Sequence, residues 1–79
     1  MYVISKDKSA MAKVDQLRIY RYPMVSDEIW RAWCKMGIGG FAIGDNSKRI
    51  ELFNTYEEAQ ETMAYIAERL NAGDTVIEL

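Results

Sequence analysis

The sequence contains no histidine among its 79 residues. Histidine is the commonest general base, the partner of catalytic serine and cysteine, and a ligand in nearly all zinc sites. The acidic pairs Asp27–Glu28 and Glu57–Glu58 are adjacent in sequence, and we expect them at a strand start and a helix start rather than in a buried site that shifts a pKa. We therefore predict that the protein is not an enzyme, has no catalytic or metal site, and uses no cofactor.

Cysteine and long apolar runs are also scarce. Cys34 is the only cysteine, which excludes an intrachain disulfide and a thiolate metal cage and is typical of a reducing compartment. Because its neighbours are apolar, we expect a buried small hydrophobe rather than a reactive thiol. No apolar run approaches the roughly 18 to 20 residues that span a bilayer, and the N-terminus lacks the apolar segment of a secretion signal. These absences predict a cytoplasmic protein that does not enter a membrane.

The composition is that of an ordinary globular domain, with 49% hydrophobic and 28% charged residues. The length predicts one domain over residues 1–79, with a small core. The net charge of −2 is unevenly spread, because residues 1–54 carry nine Lys/Arg against six Asp/Glu, whereas residues 55–79 carry one against six. The two parts of the chain therefore differ in how they would steer charged partners.

The clearest local pattern predicts a long helix near the C-terminus, over about residues 55–72. Thr55 followed by Glu58 forms a capping box, with Asn54 and Glu57 as an alternative pair. Gly73 can take the left-handed conformation that ends a helix. The apolar side chains recur at steps of three and four along one stripe, which needs a partner surface: Tyr56, Ala59, Met63, Ile66, Ala67 and Leu70.

Short strand patterns fill most of the remaining chain. They are residues 2–5, 11–14, 17–22, 29–36, 41–44, 49–53 and 75–79, the last as an edge strand or a frayed tail. We expect Gly37–Gly40 to form a hairpin turn rather than a phosphate loop, and Asp45–Asn46 to form another turn. The predicted fold is α+β, an antiparallel β-meander of about four to six short strands with one long C-terminal helix packed on one face.

Such a layer leaves the second face of the sheet in water. In this prediction Leu17, Ile19 and the set Trp30, Ala32, Cys34 and Met36 face the helix, because strand residues alternate between faces. The opposite set forms a basic and aromatic patch: Arg18, Tyr20, Tyr22, Arg31, Trp33 and Lys35. A shift of one residue in strand register would move Trp33 into the core and remove the patch.

The six-residue patch allows three interpretations. Long basic stems and aromatic rings can simply cover a thin sheet, with arginine over tryptophan. Tyr, Trp and Arg are also the residues most enriched at protein-binding hot spots. Basic and aromatic sheet surfaces can instead stack the bases of a nucleotide or a single strand. The composition alone does not decide among these interpretations.

Three segments, YVISKDK, VDQLRI and IELFNTYEEAQETMAYIAERLNAGDTVIEL, together resemble small uncharacterised proteins of phages, prophages and mobile elements of Gram-positive bacteria. Those proteins begin with a strand, a serine, a polar residue and an aspartate, and end with a strand, a short helix cap, a helix and a brief apolar tail. The resemblance covers about half of the chain and rests on a turn, a cap and a core helix. Residues 20–44 match nothing in it, and no catalytic residues carry over.

The resemblance implies a counter-defence factor in the cytoplasm of a host cell, which binds and inhibits a host protein or ribonucleoprotein complex as anti-CRISPR proteins do. One alternative is a sponge that sequesters a nucleotide immune signal, with the pocket formed between subunits. A second alternative is a structural or regulatory module of the mobile element itself. A homodimer is a further expected partner, and a membrane is not.

Overall fold

A computed structural model of the chain describes residues 1–45 and 48–79. Its elements, in chain order, are β1 (Tyr2–Ile4), β2 (Met11–Lys13), β3 (Arg18–Tyr22), α1 (Asp27–Lys35), β4 (Gly40–Gly44), β5 (Arg49–Phe53), α2 (Tyr56–Asn71) and β6 (Val76–Glu78). The fold is α+β, as predicted. The strands form two three-stranded sheets rather than one meander.

The first sheet has the strand order β2-β1-β6. Strand β1 runs antiparallel to β2 and parallel to β6, so Val3 lies between Ala12 and Ile77. The N–H of Leu79 donates to the carbonyl of Ile4 at 3.0 Å, which extends the parallel pairing to the last residue. The C-terminal segment is therefore a paired edge strand and not a frayed tail.

The second sheet has the order β3-β4-β5, and both pairings are antiparallel. Ile43 in the central strand is fully buried. The β4–β5 register shifts between Ile43 and Gly44, and Ile50 packs with Val3 and Val14 of the first sheet's core. Of the predicted turn at Asp45–Asn46, Asn46 lies outside the described residues, whereas the Asp45 carboxylate accepts a hydrogen bond from the Lys48 N–H at 2.7 Å.

The long helix α2 confirms the strongest prediction from the sequence. The Thr55 hydroxyl, and not Asn54, caps it by accepting the Glu58 N–H at 3.2 Å. The helix ends before Gly73, whose φ of +90° is the left-handed conformation that glycine adopts readily. The stripe is narrower at its ends than predicted, because Tyr56 and Leu70 are 44% and 42% exposed. Its central residues supply the packing: Ala59, Met63 and Ile66.

The predicted strand over residues 29–36 is wrong, because this segment forms most of helix α1. The Ser26 hydroxyl caps the helix at the Ile29 N–H, and two acidic residues occupy its first turn, where the helix dipole favours negative charge. Gly37, with φ of +75°, ends it. The glycine-rich segment therefore connects α1 to β4 and is not a hairpin turn.

Two small cores hold the molecule together. One contains Val3, Val14 and Ile50, and the other contains Ile43, Phe53 and Ala59. Leu17 packs against both clusters, so the segment just before β3 joins the two sheets. Helix α2 covers the face of the second sheet that carries this second core. The opposite face of that sheet carries the candidate site.

Candidate binding surface

The register of the second sheet determines which side chains share its uncovered face. Residues directly opposite one another in an antiparallel pair point to the same side, and Tyr20 pairs with Ala42, which in turn pairs with Leu52. By the same pairing, the central strand places Gly40, Ala42 and Gly44 on this side. The residues around them define what we call the basic–aromatic face: Arg18, Tyr20 and Tyr22 from β3, and Arg49 and Leu52 from β5.

The floor of the basic–aromatic face consists only of small residues. A Cβ atom on Gly40 would collide with the carbonyl oxygen of Phe53, and one on Gly44 would collide with that of Lys48. Neither position can therefore accept a larger residue without a backbone shift. Ala42 between them is 0% exposed.

Two arginines lie over the tyrosine rings that cover this floor. The guanidinium of Arg49 lies 4.6 Å from the centre of the Tyr22 ring, and that of Arg18 lies 5.4 Å from the Tyr20 ring. Both distances are within the range of a cation–π interaction. The two rings are half-buried, whereas the two arginines are exposed. The face therefore presents positive charge on a rigid aromatic base.

Burial and two nearby arginines act in opposite directions on the pKa of Tyr20. Desolvation raises the pKa of Tyr20 above its ordinary value, and the nearby cations of Arg49 and Arg18 oppose that shift without cancelling it. A neutral phenol can donate a hydrogen bond as well as accept one. The face therefore combines two cations with a phenol hydroxyl that can donate a hydrogen bond.

A cleft of about 200 Å³ borders the face beyond β5, lined by Arg49 and Leu52 on one side. Its other wall is the turn that follows β1, and the Lys6 N–H of this turn donates to the Glu51 carboxylate at 2.9 Å. Asp7 at the rim accepts hydrogen bonds from the Ser9 N–H, the Ser9 hydroxyl and the Ser5 hydroxyl. These bonds lower the pKa of Asp7 to about 2, so one fixed negative charge marks this edge of the face.

A larger depression of about 470 Å³ lies between α2 and the first sheet. Its rim carries both signs of charge: Lys6, Lys8, Glu61 and Glu78. Lys8 and Glu78 pair across it at 3.3 Å. Because these charges compensate one another, the depression offers no dominant sign to a charged ligand.

The structure keeps half of the six-residue patch together. Arg18, Tyr20 and Tyr22 lie on the uncovered sheet face, as the alternation along β3 predicts. The predicted placement of the other half is wrong, because α1 is a helix and not a neighbouring strand. That half is Arg31, Trp33 and Lys35.

The remaining predictions for this segment change for the same reason. Trp30, Ala32, Cys34 and Met36 do not form one buried face, since Ala32 and Met36 are exposed and Trp30 and Cys34 are half-buried. Two residues of the basic–aromatic face, Arg49 and Leu52, were not predicted. Simple alternation within RIELF would place Arg49 and Leu52, three residues apart, on opposite faces of the sheet. The register shift in the β4–β5 pairing brings Arg49 to the face that carries Leu52.

Helix α1 is fixed to the other side of the second sheet, because its contacts Phe41 and Arg21 alternate with the residues of the basic–aromatic face. The Trp30 indole N–H donates to the Gly40 carbonyl at 3.0 Å, and its ring meets Phe41 edge-on with centres 5.5 Å apart. Arg21 stacks on Trp30 at 5.1 Å and forms an ion pair with Asp27. Helix α1 therefore packs on the side of the sheet opposite the basic–aromatic face.

These features define a small α+β protein with a preformed basic–aromatic surface. No protein-family model, curated protein or solved structure matches the chain. Within residues 1–45 and 48–79, no three or more His, Cys, Asp or Glu side chains come together in a way that could hold a metal ion. In the same part of the chain, no helix is both long and apolar enough to cross a bilayer. The likeness to phage proteins stays a prediction.

Proposed function

We propose that this chain is a non-enzymatic binding protein that acts through protein–protein contact at its basic–aromatic face. The observation that carries the proposal is the pair of arginine–tyrosine stacks, Arg49 on Tyr22 and Arg18 on Tyr20. The stacks come from the two edge strands of one sheet and meet over a floor of glycine and alanine. Such a surface is ordered before any partner arrives.

Arginine and tyrosine are, with tryptophan, the residues most enriched among the hot spots of protein interfaces. A stacked arginine has already lost much of its rotamer freedom, so its contact with a partner costs less entropy than that of a free side chain. Leu52, 38% exposed, adds an apolar contact at the β5 side. Together they supply a charged, aromatic and apolar patch on a rigid sheet.

The charge of the face favours an acidic partner surface. Arg18 and Arg49 contribute two cations, and the first 54 residues carry a net charge of +3, from nine Lys/Arg and six Asp/Glu. Complementary charge speeds association and selects among partners. In the form that the resemblance implies, the partner is a host protein or ribonucleoprotein complex of a defence system, which the chain inhibits in the cytoplasm of the host cell. That biological setting rests on the resemblance alone.

The geometry supports a nucleotide ligand less well. One side of each tyrosine ring already carries a guanidinium, so a base would have to displace an arginine or stack on it. The cleft beside the face holds about 200 Å³, which is below the roughly 300 to 1,000 Å³ of most small-molecule sites. A protein partner can bind across the face without filling the cleft, so the small volume of the cleft does not count against protein binding.

Native mass spectrometry of the protein purified gently from a bacterial lysate tests the proposal. We expect the wild-type chain to carry the mass of a different protein or a ribonucleoprotein, and Arg18→Glu with Arg49→Glu to lose it. The matched control, Lys13→Glu with Arg31→Glu, makes the same change in net charge at exposed positions on β2 and α1. It should keep the bound mass.

Three results would contradict the proposal. They are a wild-type chain that carries no protein, a loss of the partner in both double variants, and retention of the partner in both. Thermal unfolding of each variant separates a lost surface from a lost fold. If only the Arg18 and Arg49 variant fails to fold cooperatively, the two arginines serve to cover the sheet and the face is structural.

A further inference from the structure

Helix α1 carries more apolar surface than its own chain covers. All nine of its residues are described, and none of them is buried. Trp30 faces the sheet through its hydrogen bond to Gly40 and its contact with Phe41. A second apolar group points elsewhere, with Ile29 46% exposed and Trp33 36% exposed.

This second group forms a stripe along the helix, which continues into the capping residue after α1. Ile29, Trp33 and Met36 are spaced by four and then three residues, which places them on one side of an α-helix. Met36 is 63% exposed. Further large apolar side chains next to α1 in sequence are also exposed: Met24, Val25 and Ile38. A stripe of exposed apolar side chains along one helix face is typical of an interaction surface.

The charges beside the stripe indicate what covers it. Glu28 and Lys35 are seven residues apart, so they lie on the same flank of the helix, with the negative charge at its start and the positive charge at its end. In an antiparallel pair of identical helices related by a two-fold axis, each flank meets the same flank of the partner. Glu28 of one protomer then lies opposite Lys35 of its partner, and the contact occurs twice.

We infer that this chain forms a homodimer in which the α1 stripes of two copies pack antiparallel across a two-fold axis. Trp33 lies about midway between Ile29 and Met36 along the sequence, so the tryptophans of the two protomers meet near the axis. Offset or edge-on aromatic pairs of this kind add to the energy of buried area. Two copies of α1 thus match in this arrangement, because the apolar stripes face each other and the charges on the flanks are opposite.

Charge reversal tests the antiparallel arrangement directly, because only in that arrangement does Glu28 of one protomer lie opposite Lys35 of its partner. Sedimentation velocity over a range of concentrations measures the dissociation constant of the dimer. Glu28→Lys alone places two lysines together at each contact, and Lys35→Glu alone places two glutamates together. We expect each single change to weaken the dimer about threefold or more. The double variant Glu28→Lys with Lys35→Glu restores opposite charges and should restore the wild-type constant.

A substitution in the apolar stripe is the second test of the dimer. Ile29→Glu should weaken the dimer by about 100-fold or more because it places unpaired charge in an apolar interface. It leaves the monomer helix intact, since acidic residues are favoured in the first turn, and circular dichroism checks this. The matched control Tyr65→Glu, at an exposed position of α2, should leave association unchanged.

Three outcomes would overturn the inference. The first is a wild-type chain that stays monomeric at hundreds of micromolar. The second is a double charge swap that remains as weak as either single change. The third is a dimer that Ile29→Glu does not weaken. None of the dimer variants alters the basic–aromatic face. The result of the dimer experiment is therefore independent of the proposal that this face binds a partner protein.

Discussion

The guanidinium of Arg49 lies 4.6 Å from the centre of the Tyr22 ring although the strands that carry them, β5 and β3, are not neighbours. The contact crosses β4, where the residues on that side are glycine and alanine. Two edge strands are thus joined by side chains above the strand that separates them. Whether this contact serves binding or only the fold can be measured.

Replacing Arg49 with alanine should cost little stability. An exposed cation–π pair contributes about 0.5 to 1 kcal/mol, so we expect the free energy of unfolding in urea to fall by no more than about 1 kcal/mol. Arg18→Ala, which removes the equivalent stack on Tyr20, is the matched control and should behave alike. A loss well above about 2 kcal/mol in either variant would show that the stack is a structural element of the sheet.

Ile43 should be among the least tolerant positions. It is 0% exposed in the central strand and packs with Phe53 and Ala59. Ile43→Ala should lower the free energy of unfolding by about 2 to 5 kcal/mol, because it removes buried methyl groups and leaves a cavity. Ile38→Ala makes the same change at a side chain that is 48% exposed, and should shift stability by less than about 0.5 kcal/mol in the same urea titration. Equal losses in the two variants would contradict the assigned core.

The Trp30 indole hydrogen bond should make a measurable contribution. Trp30→Phe keeps an aromatic ring beside Phe41 and removes the donor to the Gly40 carbonyl. We expect a loss of about 0.5 to 1.5 kcal/mol in chemical unfolding, which is the usual contribution of one such bond. Tyr65→Phe, an exposed ring on α2, is the control. An unchanged Trp30→Phe protein would mean that α1 is held by its other contacts alone.

Asp7 should make stability fall in acid. Its pKa is about 2 in the folded protein, below the ordinary value of 3.8, mainly because the side chain and backbone of Ser9 and the side chain of Ser5 donate to it. A lowered folded pKa stabilises the fold above the unfolded value, and that stabilisation disappears as the pH falls from about 4 through 2. Urea unfolding between pH 5 and pH 2 should therefore show a shallower decline for Asp7→Asn than for wild type. Parallel curves would contradict the hydrogen-bonded carboxylate.

The parts of the fold that the sequence predicts correctly are those specified by neighbouring residues. The hydroxyl of Thr55 and the left-handed Gly73 define the ends of α2 within a few residues of chain. Strict alternation along β3 separates Tyr20 and Tyr22 from Ile19, because successive strand residues point to opposite faces. Three of the five residues that define the basic–aromatic face, Arg18, Tyr20 and Tyr22, follow from that alternation alone.

The errors arise where one pattern fits two structures. In IWRAWCKM the apolar residues satisfy a strand period at Trp30, Ala32 and Cys34, and a helical period at Ile29, Trp33 and Met36. The cap at Ser26 and the two acidic residues after it favour the helix, and in the structure the helix forms. Local end signals should therefore outweigh a short alternation.

Other features depend on pairing between distant parts of the chain. The parallel contact of β6 with β1 joins opposite ends of the sequence, and no local pattern specifies it. Arg49 reaches the basic–aromatic face through the β4–β5 pairing and its register shift, which the turn and strand residues do not reveal. These contacts require tertiary structure, and so does the identification of Arg49 as a site residue.

Site-specific photo-crosslinking in bacterial cells tests the central claim, that a partner protein contacts the basic–aromatic face. A photoreactive phenylalanine analogue replaces Leu52, which is 38% exposed on that face, or Tyr65, which is 44% exposed on α2. We predict that the Leu52 position yields a covalent product with a second, different protein and that the Tyr65 position does not. Products of equal yield from both positions, or from Tyr65 alone, would contradict the proposed binding surface.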